Sequence, residues 1–290
     1  MRPRPATPPR RTVATVPRPA PSAPAFIIMA LPEESVAPIV ESVAEPAPVV
    51  STPVITAHAP ATFRMPDPPP LPEFPRKGRI TYLLTMGAEQ TPVGRTVQTW
   101  EFSAERYRLG SQSESTGLIE LFRPHRFHYL SQGTLSDRGL QPERFLASVQ
   151  RGSRVEESLA VFDWAAGRVR LGRMPQQDTV ALPAGSQDLI SFMYQLALAP
   201  PPPGRLHLPF TRGRKLDQAS FDILQPETIE TPLGRLRTIP VIQVRAAGNE
   251  SLAVWLATDY RNLPVKIRFY NRDGEPSGEQ LVTEIRVSDE

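Results

Sequence analysis

Four histidines, a scatter of carboxylates and one helix-opening serine are the groups in this sequence that could do chemistry, because it contains no cysteine. Without cysteine there is no disulfide, no thiolate nucleophile and no Cys-ligated metal site. His125 and His128 are three residues apart on a segment that reads as a strand. Odd spacing sends them to opposite faces, and no third ligand stands at metal spacing, so no metal is expected. His58 falls in a proline-rich region and His207 in another strand-like run, and neither joins a set. Ser186, in Gly185-Ser186-Gln187-Asp188, lacks the flanking glycines of a nucleophile elbow and reads as a helix cap. Neither a dinucleotide-binding glycine motif nor a phosphate-binding loop is present, so no cofactor is expected. Asp163, Asp188, Asp259 and Glu284 could pair as in a glycosidase. Asp163 and Asp259 stand beside turns, however, where a carboxylate commonly caps backbone N–H groups. No catalytic residue is assigned, and the balance is against an enzyme.

The other group of interest is apolar. In the run 158–164, Phe162 and Trp164 share one face while Leu159 and Val161 take the other. Trp255 stands among Leu252, Val254 and Leu256, and Val265, Ile267 and Phe269 line one face of the next run. A strand that is apolar on both faces is either covered twice or lines a cavity. An ordinary core is the plainer reading. The sharper one is a sheet curved around a helix with an apolar pocket between them, lined by Phe162, Trp164, Phe192, Leu196, Trp255 and Ile267.

These residues need a frame, and the pattern supplies one. From Gly78 onward apolar residues alternate, beginning with Ile80, Tyr82, Leu84 and Met86. Strands are expected at 95–103, 106–112, 117–122, 126–131, 144–150, 158–164 and 167–172. Others are expected at 206–211, 218–224, 235–245, 252–258, 264–270 and 280–287. Ala166-Gly167 and Asn271-Arg272-Asp273-Gly274 supply turns. An echo, Thr91-Pro92-Val93-Gly94-Arg95 and Thr231-Pro232-Leu233-Gly234-Arg235, reads as shared turn chemistry ahead of two strands. Over 186–199 the spacing changes to helical: Leu189, Phe192, Met193, Leu196 and Ala197 share a face, and Pro200 to Pro203 end it. The fold class is mainly β: an antiparallel curved sheet or half-barrel of ten or more strands with one amphipathic helix.

Composition divides the chain. Of its 35 prolines, 20 fall in residues 1–76, against 15 in the rest. Residues 1–76 hold too little apolar surface to offset chain entropy and are expected to form a disordered, proline-rich arm. Residues 77–290 are expected to form a single antiparallel β domain with its own core. Basic and acidic residues are mixed throughout, at 33 and 30 in the whole chain. The basic pI therefore marks no nucleic-acid footprint, which requires clustered charge. The longest apolar run, 25–31, falls short of the roughly 20 residues that span a bilayer. The basic start lacks a prompt apolar segment behind it, so the chain as given reads as soluble, with any membrane association requiring an anchor from elsewhere.

Four segments carry a resemblance: Phe162-Asp163-Trp164; Leu182-Pro183-Ala184-Gly185-Ser186-Gln187-Asp188 running into Tyr194-Gln195-Leu196-Ala197; Glu230-Thr231-Pro232-Leu233-Gly234; and Trp255-Leu256-Ala257 through Leu263-Pro264-Val265-Lys266-Ile267. A turn at Gly139-Leu140-Gln141-Pro142-Glu143-Arg144-Phe145 fits as well. Together they resemble the bacterial domain of unknown function 3108 (DUF3108) over about residues 78–288. The closing segments are also similar, at the level of fold, to periplasmic lipoprotein-carrier proteins of the LolA/LppX type. The resemblance implies a periplasmic or cell-envelope protein with a signal or anchor, which this chain as given lacks. It carries over no catalytic residues. The expected function is a non-enzymatic envelope domain binding a lipid, acyl chain or other apolar ligand in a half-barrel. The alternatives are a structural or protein-interaction domain on a proline-rich spacer, with an envelope protein as partner, and a carboxylate-dependent hydrolase of envelope polymers.

Overall fold

The structure, a computed structural model, describes residues 74–117, 125–136 and 138–288. The expected arm up to residue 73, and nearly all of the strand expected at 117–122, lie outside the described residues. In chain order come β1 (Lys77–Met86), β2 (Thr91–Phe102), β3 (Arg106–Ser115), β4 (His125–Ser136), β5 (Gly139–Arg151) and β6 (Arg154–Asp163). Next are β7 (Arg168–Arg173), β8 (Asp178–Ala181), β9 (Gln187–Asp188) and the helix α1 (Ser191–Leu198). The chain closes with β10 (Gly204–Thr211), β11 (Leu216–Ile223), β12 (Glu227–Thr231), β13 (Gly234–Gln243), β14 (Ser251–Ala257), β15 (Leu263–Tyr270) and β16 (Pro276–Ser288).

All sixteen strands belong to one open, curved sheet in the order β8-β7-β6-β5-β4-β3-β2-β1-β16-β15-β14-β13-β11-β10-β9, with β12 paired to β13. Short turns make neighbours in sequence neighbours in space, and every pairing is antiparallel except β9 with β10. The first and last strands meet mid-sheet, where β1 pairs β16 from Lys77↔Ser288 to Met86↔Gly278. Alternation does what period two demands. In β3, Tyr107, Leu109, Ser111 and Ser113 are buried between neighbours that are exposed or half-buried.

α1 lies against the inner face and differs from the expected helix in two ways. It spans Ser191–Leu198 instead of 186–199, because Gln187 and Asp188 extend to pair with Phe210 and Thr211 of β10. It is also buried nearly all round rather than on one stripe: Tyr194 and Leu198 are covered too, and Gln195 alone is half-buried. A helix enclosed by a sheet on several sides has no solvent face to keep polar. Ser186 is no cap; its Oγ donates to the carbonyl of Pro183 at 2.6 Å.

Three other expectations need correction. The segment 139–145 is the start of β5 rather than a turn. Pro142, which has no N–H to give a ladder, sits at a bulge where the register against β4 shifts between Gln132 and Gly133. A Cβ on Gly133 would collide with the carbonyl of Gln141. Gly133→Ala is therefore expected to lower unfolding free energy by about 1–3 kcal/mol; an unchanged urea midpoint would show that the bulge can absorb the methyl. The echo has two meanings: Pro232-Leu233 turn the β12–β13 hairpin, whereas Pro92-Val93 lie inside β2 at a bulge. Finally, packing reaches N-terminal of residue 77, to Phe74 among the described residues. The Phe74 ring meets Trp100, Phe102 and Tyr194 at centroid distances of 6.0, 5.4 and 6.4 Å, and Trp100 Nε1 donates to the Pro75 carbonyl at 2.9 Å.

Candidate functional site

The two wings of the curved sheet face each other across α1. At one end they are tied together. The turn between β10 and β11 reaches over to β6 and β7, where the Gly172 N–H donates to Gly213 O at 3.1 Å. Arg214 donates to Glu156 at 3.2 Å, and Glu156 also holds Arg154 at 2.9 Å and Arg173 at 3.1 Å. Gly213 has φ +98° and lies so close to Phe145 and Ser158 that a Cβ would meet both at 3.3 Å. At the other end the wings stay apart, leaving a cavity of about 500 Å³, within the size range of small-ligand pockets.

Its wall is largely apolar. Trp164 at the end of β6, Leu140 of β5, Phe192 and Leu196 of α1, and Leu206 and Leu208 of β10 supply it. Trp164 is half-buried and held by a bond from Nε1 to the Pro142 carbonyl at 2.6 Å. Among the described residues, β10 has no strand on its outer side beyond Gln187 and Asp188, and Leu206 and Leu208 border the opening there. Two glutamines flank Leu140. Gln195 Oε1 accepts its N–H at 2.6 Å, and Gln187 Nε2 donates to its carbonyl at 2.8 Å. They satisfy Leu140's backbone groups as a neighbouring strand would.

Deeper lies a buried polar cluster. Asp188 is fully buried, and its Oδ1 accepts the N–H groups of Ile190 and Ser191, both at 2.9 Å, at the entrance to α1. Its Oδ2 accepts from Ser131 Oγ at 2.6 Å, and Ser131 in turn meets the Tyr107 hydroxyl at 3.1 Å. Burial pushes the Asp188 carboxyl up to about 6, against the opposing pull of its hydrogen bonds from Ser131, Ser191 and Ile190. Burial first, and the nearby Asp188 second, hold the Tyr107 hydroxyl well above its ordinary range. The Asp188 carboxylate does not line the cavity, so this cluster anchors the helix from beneath.

A family model described as a protein of unknown function, DUF3108, matches residues 81–279, from β1 to β16. The chain belongs to the DUF3108 family. Among curated proteins none matches it. Solved structures similar to it include a β-barrel-like protein of the DUF1849 domain from Brucella abortus, with 11% identity and a TM-score of 0.48. Another is a protein with a YmcC-like fold from Bacteroides fragilis, with 13% identity and a TM-score of 0.29. Each alignment covers 74% of this chain and 98% of the other.

In this DUF3108 domain the six apolar residues singled out from sequence separate into distinct places. Trp164, Phe192 and Leu196 line the cavity. Phe162 stands behind it, stacked on Trp164 at 6.1 Å with the rings 10° apart. Ile267 borders a different space of about 20 Å³ between α1 and the middle of the sheet, room for about one water. Trp255 is on the opposite face from Ile267, since it is paired with Lys266. There its Nε1 donates to Glu227 at 2.6 Å, and the Lys266 ammonium lies 4.8 Å from its ring. Leu206, Leu208 and Gln187 belong to the site but escaped sequence reading. The only available signal was that the first two alternate in a strand beside a proline run.

The polar candidates also disperse. His125 and His128 of β4 fall on opposite faces, as odd spacing requires, and no group of three metal-ligating side chains occurs among the described residues. Asp163 caps the turn through the Ala166 N–H at 2.9 Å. Asp259 accepts from the Arg237 N–H at 3.4 Å, and Glu284 is shared by Arg79 and Arg286. None of the four carboxylates is hydrogen-bonded to another. Among the described residues no helix is long and apolar enough to cross a membrane.

Proposed function

We propose that this DUF3108 domain is a non-enzymatic, cell-envelope binding module that holds an apolar ligand, such as an acyl chain, in the cavity between the wings of its sheet. The observation that carries this reading is the apolar cavity of about 500 Å³ itself. Its volume lies within the range of pockets that enclose small ligands, and tight packing elsewhere argues that so large a space is there for use. The carboxylates weighed for hydrolysis are engaged in capping or ion pairs, which favours binding over catalysis. The envelope assignment rests on the family resemblance and a proline-rich N-terminal sequence suited to spacing a domain from an anchor.

Native mass spectrometry of the full purified chain tests the reading. An apolar molecule is expected to copurify, or to bind when supplied as dodecan-1-ol. Leu208→Trp places a large ring at a half-buried position of the wall and is expected to weaken binding about tenfold or more while leaving the urea midpoint nearly unchanged. Binding unaffected by Leu208→Trp would place the ligand elsewhere and sink the proposal.

A further inference from the structure

The charges at the tied end of the wings do not balance. Glu156 is ion-paired with three guanidinium groups at once: Arg154 at 2.9 Å, Arg173 at 3.1 Å and Arg214 at 3.2 Å. A fourth, Arg151, stands directly across the β5–β6 hairpin from Arg154, and on its other side it faces His125 of β4. Like charges set opposite each other in a ladder are destabilising, and neither cross-strand neighbour of Arg151 is acidic. Arg151 is half-buried, yet among the described residues it makes no hydrogen bond or ion pair. Its nitrogens are not sealed off from solvent. Glu250, the other carboxylate that Arg151 influences, is paired with Arg212 at 3.7 Å. Burial first, and the Arg173 charge second, pull the Arg214 guanidinium below its ordinary range, and Arg151 pulls the same way. Among the described residues, four guanidinium groups thus share one carboxylate.

We infer that this end of the domain is an oxyanion site, in which Arg151, Arg154, Arg173 and Arg214 hold a phosphate group beside Glu156. A guanidinium carries five N–H donors in a planar fork. Arg154 and Arg173 each commit one nitrogen to Glu156, and their side chains are otherwise well exposed. A phosphate dianion offsets most of the surplus charge and offers acceptor oxygens to several forks together. Its source is either the free ion or a lipid headgroup. The site draws on both wings, on β5 to β7 and on the turn between β10 and β11, so occupancy strengthens the tie. None of the four arginines lines the apolar cavity, which makes this a second site, independent of the cavity reading.

The test follows thermal unfolding of the full chain in inorganic phosphate and in chloride, at matched pH and ionic strength. Phosphate at about ten times its Kd is expected to raise the midpoint by about 3–6 °C over chloride. Arg151→Gln removes a group that bonds to nothing in the described protein. Its midpoint in chloride is expected to equal or exceed that of the unaltered protein, while its affinity for phosphate falls about tenfold. Sedimentation with phosphatidylcholine vesicles containing phosphatidic acid separates the two sources. Vesicle binding that inorganic phosphate competes away supports the site with a headgroup as its ligand; a phosphate response without vesicle binding supports it with the free ion. Equal midpoints in phosphate and chloride would overturn the proposal, and so would a phosphate response that Arg151→Gln leaves unchanged. The comparison of phosphate with chloride in the unaltered protein decides the matter even if Arg151→Gln does not fold.

Discussion

Asp188→Asn is expected to remove a pH dependence of stability that the unaltered protein carries between about pH 4 and 7. In the folded protein burial raises this carboxyl from 3.8 to about 6. The protonated form is thus favoured by folding. Its contribution is fully present below pH 3.8 and is lost as pH rises through about 6. The gap corresponds to about 3 kcal/mol. Asparagine keeps an oxygen for the N–H groups of Ile190 and Ser191, and its amide can donate to Ser131 Oγ, which can still donate to the Tyr107 hydroxyl. It cannot ionise. Urea midpoints measured at pH 4 and pH 7.5 should therefore diverge more for the unaltered protein than for Asp188→Asn, with the variant more stable at the higher pH. Other titrating groups are common to both proteins and cancel in the comparison. Parallel curves would mean that Asp188 is solvated or held as a carboxylate by its hydrogen bonds, and would overturn this account.

Phe192→Ala is expected to cost about 3–5 kcal/mol. The side chain is fully buried; its ring stacks on Phe221 at 5.2 Å and meets Phe210 edge-on at 5.3 Å. These three rings join α1 to β10 and β11, the wing that borders the cavity. Removing the middle ring takes away burial and the aromatic contacts together. Phe192 also lines the cavity, so the vacated space merges with it and collapse cannot refill it cheaply. Chemical denaturation measures the loss. A change under 1 kcal/mol, small for a fully buried phenylalanine, would show that the two wings are held apart by other contacts, and the tie at Gly172–Gly213 would be the first to examine.

Much of this architecture was legible in the chain because its signals are local. Period two marks strands such as β3 and β5, and Ala166-Gly167 and Asn271 to Gly274 make the turns their chemistry predicts; Asn271 Oδ1 accepts from the N–H groups of Asp273 and Glu275 at 3.0 and 2.8 Å. A helix before the proline run was legible as well, though its start was not. Gln187 and Asp188 extend because β10, still to come in the chain, offers them a parallel partner. Local spacing cannot report a pairing with a later segment. The same limit misread 139–145, where Pro142 is tolerated inside a strand because β5 bulges beside it, at Glu143, in its pairing with β4.

The sequence by itself determined an antiparallel β domain of curved sheet and single helix, and the apolar inventory from which a pocket could be built. Alternation and turn chemistry act between residues a few places apart, so they survive in one dimension. Only the tertiary structure decided which apolar residues face the cavity. Trp164, Phe192 and Leu196 come together there because the sheet curls around α1, while Trp255, equally apolar on paper, turns to the other face and is covered by Glu227. The bond from Gln187 to the Leu140 carbonyl was likewise invisible, because it joins residues 47 places apart that only folding brings together.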